Sequence, residues 1–170
     1  TIGTHPEGTG LSALDYLLGE RPTIPEDIGI LLPKTYRLHP DICDFVSKKV
    51  YEGRITSIDE NKNRVIKPCK DSEYLIPSGI QYVELDHFGN EQASYEEIET
   101  IKNITQELLK SQKLGYEEKN ITEKDILIIS PYNHQTRLLQ DSLGNKYQIG
   151  TVDKFQGREA AVVIISMASS

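Results

Sequence analysis

Apolar residues recur along this chain in short blocks whose spacing switches between helical and strand periods. The opening stretch, 1–27, is rich in Gly, Pro and Thr and reads as a connecting segment with one short helix candidate over 12–18. Residues 28–32 form an apolar run stopped by Pro33, which predicts a short buried strand. Pro40 then stands at a first-turn position, and Ile42, Phe45, Val46, Lys49 and Val50 follow at helical spacing until Gly53. Residues 54–79 are polar and carry no clear period, as an irregular insertion would. The pattern resumes with a strand over 80–85. Ser94 followed by Glu97 is a capping-box signature, and Ile98, Ile101, Ile104 and Leu108 make one apolar stripe behind it. Acidic residues near that helix's start and lysines near its end suit its dipole. The rest reads as a strand over 125–130, a helix over 131–143, and strands over 147–152 and 160–167. Strands alternating with helices, several of them apolar throughout, predict an α/β fold with a mostly parallel sheet and helices on both faces.

Composition narrows the classes. A length of 170 residues allows one domain with its own core. No run reaches the roughly 18 apolar residues of a membrane span, and no signal peptide opens the chain. Cys43 and Cys69 stand at no metal-binding spacing, so a reduced, cytoplasmic setting is expected. The chain lacks a starting methionine and stops at Ser169–Ser170 just after a strand, which reads as a piece of a larger protein. The net charge of −7 argues against a free-standing nucleic-acid module that works by bulk positive potential. That sign still permits strand binding in a groove shared with another domain.

Three polar clusters follow predicted strands: TYRLHPDI over 35–42, SPYNHQ over 130–135 and TVDKFQGRE over 151–159. In an open α/β sheet, ligands collect at the carboxyl ends of parallel strands, so distant clusters converge on one edge. TVDKFQGRE is the densest, with Asp153, Gln156, Gly157, Arg158 and Glu159 between two apolar runs. Phe155 reads as core, Asp153 as a cap for the turn, and His39 as a helix-start residue.

The order YRLHP, amphipathic helix, ILIISPYNHQ, IGTVDKFQGREAAVVIIS resembles the second RecA-like domain of superfamily 1 helicases. The similarity is greatest to the branch of RNA-surveillance and nuclease-fused DNA helicases, and it covers about 28–170, weakly across 54–79. It implies a RecA-like P-loop NTPase fold and a C-terminal motor domain that shares ATP, Mg2+ and a nucleic-acid single strand with a preceding N-terminal RecA-like domain. DNA is favoured over RNA, and no base-reading element is visible.

Residue by residue, the resemblance implies that Tyr36 stacks on the base and that Arg37 reaches the γ-phosphate, a task suited to a bidentate guanidinium. Glu159 would meet the ribose, Gly157 would allow close backbone approach, and Gln156 and Arg158 would contact phosphate or relay across a domain interface. Thr151, Ser130, Pro131 and Tyr132 would touch the nucleic-acid strand. Asn133, His134 and Gln135 could instead satisfy the free amides of the helix they begin. No GxxxxGK[ST] occurs, HPEGTGLS over 5–12 lacks its lysine, and QYVELD lacks a following Glu, so the phosphate loop and metal ligands are expected from another domain. This fragment alone would then be inactive. The rival expectations are a non-catalytic RecA-like interaction module and a flavodoxin-like or receiver domain. The last is disfavoured by the Pro-Lys-Thr-Tyr-Arg that follows the first predicted strand.

Overall fold

The computed structural model describes residues 10, 12–115 and 117–169. The chain forms two compact units, Thr1–Lys62 and Asn63–Ser170.

In the first unit, helix α1 (Ala13–Leu18) starts from a reciprocal box: Ser12 Oγ accepts the Asp15 amide while the Asp15 carboxylate accepts from Ser12. Two short strands, β1 (Lys34–Thr35) and β2 (Thr56–Ser57), pair in parallel around helix α2 (Pro40–Val50). Pro40 occupies the first turn of α2, where a missing amide costs nothing. His39 is its N-cap, with Nδ1 accepting the Asp41 amide at 3.2 Å. The buried stripe of α2 is Cys43 and Ser47, whereas Phe45 and Val50 of the expected stripe are half exposed. Ser47 explains the shift: its hydroxyl accepts the Ile55 amide at 3.1 Å, turning this face toward the returning chain. The Cys43 thiol is pushed up by burial and then by Asp44, which keeps it protonated.

The strand expected over 28–32 does not form. Ile30 and Leu32 are 89% and 77% exposed, and pairing begins only beyond Pro33, whose carbonyl accepts the Thr56 amide. Part of the opening segment is nonetheless tied down. Thr23 is buried, bonded to Glu52 and to Arg54, whose guanidinium also reaches the Ile24 carbonyl at 3.0 Å.

The second unit is built on a parallel sheet of order β7-β6-β8, with β6 at Ile126–Ile129, β7 at Gln148–Gly150 and β8 at Val162–Ile165. Two helices pack on it: α3 (Tyr95–Leu109) and α4 (Asn133–Leu143). Ile98, Ile101 and Leu108 of α3 meet Ile126, Ile128 and Ile149 of the sheet and Leu139 of α4 in one cluster. Each such side chain contributes about 1.5–3 kcal/mol by leaving water. Before and between these elements, β3 (Val65–Lys67), β4 (Gln112–Leu114) and β5 (Lys119–Asn120) make a small antiparallel sheet. The fold is α/β with a parallel sheet and flanking helices.

Residues 80–85, read as a strand, belong to none of these sheets. Val83 and Leu85 are half-buried while Tyr82 and Glu84 are exposed, so the pleat of a strand is present. Alternation sets the pleat, but a ladder also needs a neighbouring backbone.

The outer edge of β7 is occupied by the protein's own side chains. The Ile149 carbonyl accepts Gln140 Nε2 at 3.2 Å and Lys154 Nζ at 3.1 Å.

Candidate nucleotide and nucleic-acid site

Tyr36 and Arg37 lie in the first unit, on the turn between β1 and α2, and both are exposed. The turn is held at its two ends. The Thr35 carbonyl accepts the Ile58 amide at 3.2 Å, and the Leu38 carbonyl accepts Ser57 Oγ at 2.6 Å. Asn61 Nδ2 reaches both carbonyls, and the Arg37 amide donates to Thr35 Oγ1 at 3.3 Å.

The other two clusters are brought together in the second unit. β6 and β7 are parallel neighbours, so SPYNHQ and TVDKFQGRE leave the same end of the sheet, and the Ser130 amide donates to the Gly150 carbonyl at 3.2 Å. Ser130 is fully buried, with its hydroxyl turned to the Tyr132 amide. The Ser130 hydroxyl is thus sealed from solvent. Pro131 is exposed and Tyr132 half-buried, and Asn133 and His134, which begin α4, are exposed beside them.

Residues 151–159 form a single 3-10 turn, Asp153–Phe155, and then a reversal. Asp153 is not its cap: the turn starts at Val152 without a side-chain acceptor, and the Asp153 carbonyl takes the Gln156 amide instead. Phe155 is buried, as expected, and its ring lies directly over Gly150. A Cβ at position 150 would stand 2.9 Å from the ring, so only glycine lets the ring seat there. Gly157 is required by the backbone itself. A Cβ there would meet no atom within 4 Å, but φ is +81°, a region that L side chains rarely adopt.

That reversal leaves Gln156, Gly157, Arg158 and Glu159 exposed and Thr151 half-buried. Arg158 folds back over the Phe155 ring, 6.0 Å from its centroid, and donates to Gln148 Oε1 at 3.3 Å. Lys154 approaches the same ring at 5.4 Å. Both cations lean on one buried aromatic, which braces the turn.

A polar clasp that the sequence did not announce fixes the ends of α3, α4 and β8. Gln135 is fully buried: its Oε1 accepts the Ser94 amide at 3.0 Å, and its Nε2 donates to the Ser94 carbonyl and Ser166 Oγ. Glu97 accepts Ser166 Oγ at 2.5 Å and the Ala168 amide at 2.8 Å. Ser94 does cap α3 through the Glu97 amide, but the Glu97 carboxylate is spent on β8's exit rather than on closing the box. Gln135 thus serves the clasp and not its own helix's free amides; a lone Gln in a helical pattern gives no sign of this.

Fold and loops together define a RecA-like α/β domain. Residues 12–170 match the family described as AAA domain, and the chain belongs to that family, as a RecA-like domain of the superfamily 1 helicases. Among its relatives are Helicase sen1 of Schizosaccharomyces pombe, 32% identical over 155 residues, and the DNA polymerase alpha-associated DNA helicase A of that organism, 30% identical over 149. The DNA replication ATP-dependent helicase/nuclease DNA2 of Gallus gallus is 26% identical over 145 residues. These matches cover 82%, 79% and 81% of this chain but only 9%, 22% and 13% of the respective relatives. Among the described residues no helix is long and apolar enough to cross a membrane.

Proposed function

We propose that this chain is the C-terminal motor domain of an ATP-dependent helicase, contributing nucleotide and single-strand contacts to a site completed by an N-terminal RecA-like domain. The observation that carries the reading is the Tyr36–Arg37 pair, exposed on a turn whose flanking carbonyls are bonded on both sides. An aromatic face suits a nucleobase, and a guanidinium suits a phosphoryl group whose charge spreads over its oxygens during transfer.

Arg37 would neutralise that charge, Tyr36 would hold the base, and Glu159 would take the ribose hydroxyls. Gln156 and Arg158 would back the phosphates from the far end of the turn. Thr151, Pro131 and Tyr132 would grip a single strand by hydroxyl and ring contacts that read no base, with DNA preferred. Mg2+ would be held by ligands from the N-terminal domain. Closing of two domains around ATP and reopening after hydrolysis would move the strand.

The test is Arg37→Ala in the full-length protein. ATP hydrolysis driven by single-stranded nucleic acid should fall at least about a hundredfold, by analogy with other arginines that stabilise transferring phosphoryl groups, with the melting temperature unchanged. Wild-type hydrolysis by a folded Arg37→Ala protein would take Arg37 out of the site.

A further inference from the structure

We infer that Asn61 is the positioning residue for Arg37; the inference rests on the proposed role of Arg37 at the nucleotide. Asn61 is fully buried, in a stretch of sequence that shows no pattern. Its Nδ2 donates to the Leu38 carbonyl at 3.1 Å and the Thr35 carbonyl at 3.4 Å, and reaches Ser57 Oγ at 3.0 Å. Those two carbonyls bracket the Tyr36–Arg37 dipeptide. One amide group therefore ties the peptide plane that precedes Tyr36 to the plane that follows Leu38, and so closes the turn from which the pair projects.

The chemistry of the position singles out donation as its purpose. Asn61 Oδ1 is buried and has no hydrogen-bond partner among the described residues. Leaving a buried acceptor unpaired is costly, and an apolar side chain of similar size would avoid that cost. What such a residue could not supply is the pair of N–H groups. Reversing the amide would set its oxygen against two carbonyls, so the donors must face the turn. Ser57 completes the clamp by donating to the Leu38 carbonyl while it receives from Asn61. A bidentate guanidinium depends on angle as much as on distance, so the clamp governs catalysis more than binding.

The experiment is steady-state ATP hydrolysis by the full-length protein on an oligothymidylate strand. Asn61→Asp keeps the side chain's shape but replaces the donors with oxygens. It should lower kcat about ten- to a hundredfold, with a smaller rise in KM for ATP through Tyr36. In an Arg37→Ala background the same substitution should have no further effect on kcat. Ser57→Ala, a milder change, should lower kcat in the same direction without shifting the melting temperature, and it decides the matter if Asn61→Asp does not fold. Normal kcat in Ser57→Ala and in folded Asn61→Asp, beside a crippled Arg37→Ala, would overturn the inference and leave the role of Arg37 standing. A full additional loss in the Arg37→Ala background would also overturn it, because Asn61 would then act through general structure. Normal activity of Arg37→Ala itself would remove the proposed function, and this inference with it.

Discussion

The turn at 35–38 in the first unit is held by hydrogen bonds, and the turn at 151–159 in the second is held by a buried ring. In the first, an amide and two hydroxyls grip backbone groups. In the second, Phe155 seats on Gly150 and carries Lys154 and Arg158 on its face. Hydrogen bonds fix direction and fail abruptly when one donor is lost; packing fixes depth and fails in proportion to the volume removed. The contrast matches the proposed tasks. A guanidinium must be aimed, whereas a polar reversal that offers several groups need only be held in place.

The contrast can be broken most directly at the ring. Phe155→Ala should destabilise the second unit by about 3–5 kcal/mol, the range for emptying a buried aromatic site, as read by denaturant unfolding. A loss below about 1 kcal/mol would mean that the ring is not what holds the turn. A sharper probe is Gly157→Ala. No neighbour obstructs the added methyl, so its effect reports the left-handed backbone alone: about 1–2 kcal/mol, with altered amide exchange confined to 155–159. An unchanged stability would show that the reversal is not fixed at φ +81° in solution.

The smallest effect separates the two regions by pH. The clamp at 35–38 consists of amide, hydroxyl and carbonyl groups, none of which titrates. The second unit leans on two carboxylates whose pKa values are lowered. Burial pushes Asp125 up, but hydrogen bonds from Lys113 and from the Thr122 amide and hydroxyl outweigh it. Burial likewise pushes Glu107 up, and bonds from Ser72 and the Glu73 and Tyr74 amides prevail. A carboxylate with a depressed folded-state pKa contributes stability that is complete above the ordinary carboxylate range and is lost as pH falls through the lowered value. Acid should therefore loosen the second unit at these two carboxylates. NMR titration should show the Thr122 and Tyr74 amides shifting, and Asp125→Asn should remove the Thr122 part of the response.

The sequence was most readable where burial and period agree. Ile98, Ile101 and Leu108 announced α3, and the unbroken apolar runs announced β6 and β8 to within two residues of each end. It misled where apolar residues lack a pairing backbone, as at 28–32 and 80–85. The loops at 130–135 and 151–159 were legible as neighbours because parallel strands share an end. The supports of the site were not legible. Asn61, Ser57 and Gln135 are single polar residues whose partners lie far along the chain, and no local spacing encodes such a bond.

The capped carbonyl on the edge of β7 bears on a hazard of the whole architecture. A short strand at the margin of a sheet is an invitation to a stray strand from another molecule, and repeated acceptance leads to aggregates. Here Gln140 and Lys154 already occupy the Ile149 acceptor, and the lysine sets a positive charge where an intruder's backbone would have to lie. The same lysine that braces the turn after β7 thereby also guards the strand's outer edge.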